Sequence, residues 1–379
     1  MKTTKLKFSA TIILTIILGK LGITFPVYSQ SITPGKDNTG TTVHQNGNQF
    51  DIQGGTYNEA NLFHSFEQFK VESNQTANFL PHPDTSNIFG RVTGGNASIL
   101  NGLIQVTGSN SNLFLMNPAG IIFGPNVRLN IPASLNVTTA TGIGFNNNNF
   151  WFKAMETNDY STLVGNPSGY KFNSAQLGQI VNQGNLSLNP GKNLTLLGGK
   201  VINRGQLSTA SGNIIIVAVK DSGLLRISQP GHVLSLEFNP NKADEKDISN
   251  FKKIDIAYFL TGGYNKNATS IRVEPDGSVM LTDNASIDVS SSDQIGGQVH
   301  VLGERVSLID ANIKADGLNA GGTVLIRGDF PDHGIVPNFE QTLINENSLI
   351  SRVDADGNVM LTDNVTITNT SIDLSLIHI

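Results

Sequence analysis

Residues 180–186 of the chain read Ile-Val-Asn-Gln-Gly-Asn-Leu, and 21 residues later residues 201–207 read Val-Ile-Asn-Arg-Gly-Gln-Leu. A second phrase, Gly-Gly-Gln-Val-His-Val-Leu-Gly at 296–303, has a counterpart 25 residues later at 321–328. A period of 20 to 25 residues with short apolar segments and Gly or Asn turns is typical of a β-solenoid, in which each turn of the chain forms one rung. A single rung cannot bury its inward side chains, whereas stacked rungs share one apolar column.

Strand patterns surround these phrases along most of the chain. Segments such as 104–107 alternate apolar and polar residues, and segments such as 214–217 are continuously apolar. Gly, Asn, Asp or Pro separates most of them. A β-sandwich would not explain the recurring phrases, and propeller blades need longer periods. Stacked Asn residues at one rung position are expected to form amide ladders. The stretch from Ala60 to Phe69 differs, because its apolar spacing favours one or two helical turns or an irregular loop.

The composition agrees with an all-β chain and excludes several classes of protein. The 379 residues carry a net charge of −5 and include 38% hydrophobic residues, 15% charged residues, 39 Gly and no Cys. This many turn-forming residues argues against a helical bundle, and the hydrophobic fraction argues against disorder. The pI of about 5.8 gives no indication of the basic surface that binding to nucleic acid requires. The lack of Cys excludes disulfides and thiolate metal sites, and it suits a chain that is threaded unfolded through a membrane pore.

The N-terminus has the pattern of a secretory signal peptide. Three lysines lie within the first seven residues, and the largely apolar stretch from Phe8 to Phe25 follows them. Small residues near Ser29 predict cleavage between Ser29 and Gln30. The alternative is an uncleaved membrane anchor, although Lys20 interrupts a stretch that is near the minimum length for spanning.

A series of ordered phrases in the first third of the chain resembles one known family. The phrases are Phe50–Thr56 (FDIQGGT), Asn61–Phe69 (NLFHSFEQF), Ile88–Gly95 (IFGRVTGG), Ile99–Gly102 (ILNG) and Asn112–Pro125 (NLFLMNPAGIIFGP). Together they resemble the N-terminal secretion domain of the filamentous haemagglutinin family. The resemblance is close over residues 32–145 and looser to about residue 340.

The resemblance implies a right-handed parallel β-helix of the pectin-lyase-like type, exported by two-partner secretion. In that pathway an outer-membrane barrel transporter recognises the N-terminal domain through its own periplasmic domains. The family motif Asn-Pro-Asn-Gly-Ile corresponds here to a stretch in which one Asn is replaced: Asn117, Pro118, Ala119, Gly120 and Ile121. These five residues are the candidate secretion motif. Since Pro118 and Gly120 suit a tight turn, the motif serves either the fold alone or recognition by the transporter.

No catalytic, cofactor-binding or metal-binding residue is predicted. None of the seven His residues has a ligand spacing. Asp332–Gly334 (Asp-His-Gly) faintly resembles phrases of β-helix pectin-cleaving enzymes but lacks their partner residues. The segment Asp354–Asn358 resembles the start of a calcium loop, but the spacing of Gly and the missing Glu favour a turn between rungs.

The predicted organisation has four parts with two interruptions. They are a signal peptide (1–29), a two-partner secretion domain (30–147), a β-helix extension with loop insertions (148–340) and a partial repeat that we expect to be truncated (341–379). The segment 146–160 is expected to pack over one end of the column or to offer an aromatic platform to a sugar, and 242–255 to protrude as a charged excursion.

These observations predict a monomeric, non-enzymatic exoprotein on the cell surface or in the medium, acting as an adhesin or haemagglutinin. Its expected partners are the transporter and a glycan or protein of a host or neighbouring cell. Two alternatives remain at this point: a β-helix enzyme that cleaves polysaccharide, and the N-terminal stalk of a contact-dependent toxin.

Overall fold

The computed structural model describes residues 31–172, 178–219, 277–303 and 305–327, together with the segments 223–227, 234–237, 341–344, 348–351 and 365–368. Five features of the sequence lie outside these residues: the signal peptide, its cleavage site at Ser29 and Gln30, the charged segment 242–255, Asp332–Gly334 and Asp354–Asn358.

Thirty-three strands and one short 3-10 helix make up the described part of the chain. The first half contains β1 (Ile32–Pro34), β2 (Thr41–Asn46), β3 (Gln49–Gly54), β4 (Thr56–Asn58), β5 (Asn61–Phe69), β6 (Thr76–Phe79), β7 (Asn87–Val92), β8 (Ser98–Leu100), β9 (Leu103–Val106), β10 (Asn112–Met116), β11 (Ile121–Phe123), β12 (Arg128–Asn130), β13 (Leu135–Thr138), β14 (Gly142–Phe145), β15 (Phe150–Lys153), the 3-10 helix η1 (Tyr160–Thr162), β16 (Pro167–Phe172), β17 (Gln179–Asn182) and β18 (Asn185–Ser187).

The second half continues in the same way, with β19 (Asn193–Gly198), β20 (Lys200–Asn203), β21 (Gln206–Ser208), β22 (Asn213–Ala218), β23 (Gly223–Ile227), β24 (Leu234–Glu237), β25 (Ser278–Leu281), β26 (Ser286–Asp288), β27 (Gln298–Leu302), β28 (Arg305–Leu308), β29 (Asn312–Lys314), β30 (Thr323–Arg327), β31 (Gln341–Ile344), β32 (Leu349–Ser351) and β33 (Val365–Thr368).

The strands stack as a parallel β-helix with three faces. The first face, here called the long sheet, holds nine parallel strands in the order β5-β7-β10-β13-β19-β22-β27-β30-β33. The second face is the sheet β31-β28-β25-β20-β17-β11-β8, and the third consists of two five-stranded sheets, β12-β9-β6-β3-β2 and β18-β21-β26-β29-β32. A typical rung visits the three faces in turn, as β10, β11 and β12 do. The β-solenoid predicted from the repeats, and the all-β parallel β-helix implied by the family resemblance, are therefore confirmed.

The recurring phrases fall in register, as stacking requires. Strand β17 pairs with β20 so that Ile180 lies beside Val201 and Asn182 beside Asn203. On the long sheet one inward position is apolar in every rung whose side chains are described: Leu62, Ile88, Leu113, Leu135, Leu194, Ile214, Val299 and Val324. Every member of this column is essentially unexposed, so its burial supplies a continuous hydrophobic core.

Amide ladders run along the rungs, as the Asn content predicts. The side chain of Asn112 donates to that of Asn87 at 3.0 Å, and Asn87 donates to Asn61 at 3.0 Å. A second ladder on another face links Asn182 to Asn203 at 2.8 Å. Each buried amide group thus finds a partner in the next rung, which offsets the cost of its burial.

Antiparallel strands cover the N-terminal edge of the helix. Strand β1 pairs antiparallel with β5 at the end of the long sheet, and β2 pairs antiparallel with β3 at the end of the third face. Because β1 and β2 run against the helical repeat, they end the stack in place of continuing it, and they form what we call the N-terminal cap. Capping of this kind satisfies the backbone groups of a strand edge that would otherwise template aggregation.

A five-stranded antiparallel sheet, in the order β15-β14-β16-β23-β24, flanks the long sheet. Its strands come from two excursions, which leave the helix after β13 and after β22. Buried side chains of this flank sheet, including Phe145 and Phe152, pack on the outward rings of Phe63 and Phe89. Within the segment 146–160, Phe152 therefore packs against a side of the helix and not over one end of its apolar column.

The stretch Ala60–Phe69 is also not helical. It contains β5, the longest strand described, which spans nine residues. Leu62 and Phe66 point into the core, and Phe63 points outward beneath the flank sheet. Both faces of this strand are buried, so the alternation of apolar and polar residues that identifies a half-exposed strand is missing. Within the described residues, no helix has the length and apolar character needed to cross a membrane.

Candidate functional site

The candidate secretion motif, Asn117–Ile121, forms the turn between the first and second faces of one rung. It leaves β10 and enters β11, of which Ile121 is the first residue. The backbone N–H of Gly120 donates to the carbonyl of Asn117 at 3.0 Å, and the N–H of Ala119 donates to the Asn117 side chain at 2.9 Å. Pro118 therefore occupies the second position of a tight turn, where its fixed φ is favoured.

The motif also ties neighbouring rungs together. The amide group of Asn117 donates to the carbonyl of Asn96 and to the hydroxyl of Ser98, both at 2.9 Å. These partners belong to the preceding rung. The N–H of Asn117 donates to the carbonyl of Thr138 in the following rung at 3.0 Å. One asparagine thus connects three successive rungs.

Glycine is required at two positions around this turn. Gly120 has φ = +117°, and a Cβ atom there would lie 3.1 Å from the carbonyl oxygen of Gln179. Gly178 lies beside the same turn, and a Cβ atom on it would come within 2.4 Å of the carbonyl oxygen of Pro118. The backbone of the rung above therefore rests directly on the motif, and a side chain at either position would force the rungs apart.

The motif is almost entirely inaccessible in the folded protein. Asn117 and Ile121 are each 1% exposed, Pro118 and Gly120 are buried, and Ala119 is half-buried. A partner that reads the Asn117 side chain would have to do so before this rung has closed. The geometry alone accounts for the motif as a turn that holds the fold.

A buried ion pair near the N-terminal cap was not predicted from the sequence. Arg91, on the outward side of β7, is 4% exposed and forms an ion pair with Asp37 at 2.8 Å. Burial raises the pKa of Asp37, but hydrogen bonds from Ser65, Thr39 and Arg91 outweigh it and lower the pKa to about 2. The guanidinium also lies 5.8 Å from the centre of the Phe152 ring. The sequence gives no sign of this pair, because its members are 54 residues apart and neither belongs to a repeat.

His64 is the second titratable group that the sequence did not single out. It lies in β5, is completely buried and contacts the rings of Phe66 and Phe79 at centroid distances of 6.0 and 5.8 Å. Its Nδ1 atom is 3.3 Å from the Thr41 hydroxyl, and Nε2 has no hydrogen-bond partner. Burial lowers the pKa of His64 to about 3, so the imidazole is neutral throughout the physiological range.

A shallow cavity of about 210 Å³ lies at a corner of the first two rungs. Its lining consists of Tyr57, Glu59, His82, Asp84 and Thr85. His82 and Asp84 form an exposed pair at 3.5 Å. Among the residues that the structure describes, no group of three or more His, Cys, Asp or Glu side chains is placed to hold a metal ion.

The aromatic segment of the flank sheet offers little free ring surface. Phe152 is fully buried and Trp151 is half-buried, whereas Phe150 is 39% exposed. The Trp151 ring also lies against Gly142 and Gly144, where added Cβ atoms would be 3.2 and 3.1 Å from it. These rings therefore contribute mainly to packing.

Comparison with known proteins identifies the family of this chain and a similar solved structure. The model of the TPS secretion domain matches residues 29–258, more than half of the chain. The crystal structure of the HMW1 secretion domain from Haemophilus influenzae is 18% identical, covers 86% of this chain and 83% of its own, and superposes with a TM-score of 0.45. No curated protein matches significantly.

Proposed function

The chain belongs to the TPS secretion domain family and is therefore a two-partner secretion exoprotein, exported through an outer-membrane transporter; from this premise we propose that it acts outside the cell as a non-enzymatic adhesin. The family match over residues 29–258 carries the assignment to two-partner secretion. The ordered phrases that resemble the filamentous haemagglutinin family add support for the adhesin role.

We assign separate tasks to the parts of the chain. Residues 1–29 direct it to the periplasm and are removed between Ser29 and Gln30. The secretion domain begins at residue 30, and residues 148–340 form the extension presented outside. The product is a monomer that is released or stays on the cell surface, where it contacts a glycan or protein of another cell.

Recognition by the transporter takes place on the chain before it folds. Burial of Asn117 and Ile121 supports this order of events, because neither side chain is accessible once the rungs have stacked. The motif then has two consecutive roles. It is read by the periplasmic domains of the transporter as an extended segment, and afterwards it becomes the turn that fixes three rungs.

The substitution Ala119→Asn separates recognition from folding. It restores the family motif at a half-buried position, so a small effect on stability is expected. If the transporter reads the motif, secretion of Ala119→Asn rises while its unfolding midpoint stays unchanged. Equal secretion of the two proteins would contradict a recognition role and leave only the turn.

The adhesin role is tested on the purified mature chain. Binding to a glycan array and to intact cells is expected, with no release of reducing sugar from the bound glycans. Depolymerisation of any polysaccharide on the array would favour the enzymatic alternative and contradict the proposal.

A further inference from the structure

One segment of the first excursion returns to the N-terminal cap. Residues 153–166, here called the clasp, run from the end of β15 through η1 to the start of β16. The clasp holds few regular backbone pairings of its own. Its carbonyl groups instead accept hydrogen bonds from side chains of β4 and of the first two rungs.

Arg91 makes the first of these connections. Its Nη1 donates to the carbonyls of Lys153 at 2.7 Å and Glu156 at 2.6 Å. Its Nη2 donates to Asp37, which lies in the cap between β1 and β2. One guanidinium therefore joins the cap, the second rung and the clasp.

Two asparagines make the remaining strong connections. Asn58 donates to the carbonyls of Tyr160 at 2.8 Å and Ser161 at 3.2 Å. Asn61 donates to the carbonyls of Leu163 at 3.2 Å and Gly165 at 2.8 Å, 102 and 104 residues away in the chain. Asn61 is also the last member of the amide ladder that runs through Asn87 and Asn112. The ladder therefore ends on the clasp.

Apolar contacts accompany these hydrogen bonds. The Tyr160 ring lies 5.3 Å from Phe63 and its hydroxyl is 3.2 Å from that of Thr39. Leu163 is 1% exposed and belongs to the same buried cluster as Phe63 and Phe152. Removal of the clasp would expose this cluster and deprive Arg91, Asn58 and Asn61 of the carbonyl acceptors that the clasp supplies.

We propose that residues 153–166 close the N-terminal cap, so that the cap, the first two rungs and the clasp form one cooperative unit. The cap is then incomplete until residue 166 has joined it. Since the chain is a secreted exoprotein, folding outside the cell does not advance rung by rung from the N-terminus. It becomes committed only after the clasp has emerged, and this consequence for export rests on the proposed function.

Hydrogen exchange on the full mature chain tests the unit without any transporter. Arg91→Met and Asn61→Ala each remove donors to the clasp. In both variants, amides of residues 31–40 and of 153–166 are expected to exchange at least about 10-fold faster, by the same factor in both segments. Amides of β19 and β22 should keep the wild-type rates.

Two matched controls are available in later rungs. Asn213 donates to Asn193 at 2.9 Å in the same face of the helix, and Arg204 pairs with Asp283 at 3.1 Å. Asn213→Ala and Arg204→Met should leave both the cap and the clasp protected. If Arg91→Met does not fold, Asn58→Ala replaces it as the test variant, because it removes only two partly exposed hydrogen bonds to the clasp.

The proposal is overturned if the cap loses protection while the clasp retains it, or the reverse, since the two would then open independently. Loss of protection in both segments in the control variants would likewise contradict it. These results concern folding alone, so they leave the assignment to two-partner secretion untouched.

Discussion

Asp37 and Arg91 form an ion pair of 2.8 Å in which the arginine side chain is only 4% exposed and the carboxylate 29% exposed. A charge buried to this degree is stable only when it is paired and hydrogen-bonded. Here the pair fixes the start of the chain to the second rung, across 54 residues of sequence. The N-terminal end of the β-helix is therefore held by polar contacts as well as by its apolar core.

Acid should weaken this end of the molecule. The pKa of Asp37 falls from its ordinary value of 3.8 to about 2 in the folded chain. Its contribution to stability is therefore fully present above pH 3.8 and lost as the pH falls toward 2. We expect Asp37→Asn to lower the free energy of unfolding at pH 7 by about 1 kcal/mol, a value reduced by solvent screening. Denaturant unfolding between pH 2 and 5 measures this, and an unchanged pH profile in the variant would contradict it.

His64 should make stability depend on pH in a higher pH range than Asp37 does. The unfolded chain takes up a proton below the ordinary pKa of 6.5, whereas the buried imidazole remains neutral down to about pH 3. Stability is therefore lost as the pH falls below 6.5, by about 2 kcal/mol between pH 7 and pH 5. His64→Leu should remove this loss, and His44→Gln, which changes an exposed side chain, should retain it. Parallel pH profiles for wild type and His64→Leu would refute the assignment.

The turn at Gly120 should tolerate no side chain. Gly120→Ala combines a φ of +117° with a Cβ atom 3.1 Å from a carbonyl oxygen, and we expect a cost of about 2 to 3 kcal/mol. Gly191→Ala is the control, since Gly191 has φ = +72° but nothing within 4 Å of an added Cβ atom. It should cost about 1 kcal/mol. Equal costs in thermal or denaturant unfolding would show that the contact with the next rung is unimportant.

The amide ladder should contribute measurably to stability. Asn87 is 2% exposed, accepts from Asn112 and donates to Asn61. Asn87→Ala removes the acceptor of the Asn112 amide and the donor to the Asn61 side-chain oxygen, and we expect a loss of about 1 to 3 kcal/mol in the free energy of unfolding. The exposed Asn130, which contacts Gln105 only at 3.4 Å, provides the comparison. Asn130→Ala should change stability by less than about 0.5 kcal/mol, and a similar loss in the two variants would contradict the ladder's role.

The features that repeat along the chain could be predicted from the sequence. The phrases at 180–186 and 201–207 fixed the rung length, and their pairing in register follows from it. Once the register is known, the Asn ladders follow as well. The turn at Pro118 and Gly120 could also be predicted from the sequence, because these residue types carry specific backbone preferences.

The features that do not repeat could not be predicted. The clasp accepts hydrogen bonds mainly through its backbone carbonyls, which leave no mark in the sequence, and Tyr160 and Leu163 contribute apolar contacts. The donors Asn58, Asn61 and Arg91 look like ordinary polar residues in a chain rich in Asn. The sequence did not identify β5 as a strand because both of its faces are buried, each under a different layer. Alternation of apolar and polar residues reveals a strand only when one face is exposed.

Secretion measured with and without a transporter tests the assignment to two-partner secretion. The full-length chain is expressed in a Gram-negative host, either alone or with a two-partner transporter encoded in the same genome, and the mature protein is quantified in periplasm and medium. We expect the protein to accumulate in the periplasm without the transporter and to reach the outside only when the transporter is present. Release at the same level in the absence of any transporter would contradict this assignment.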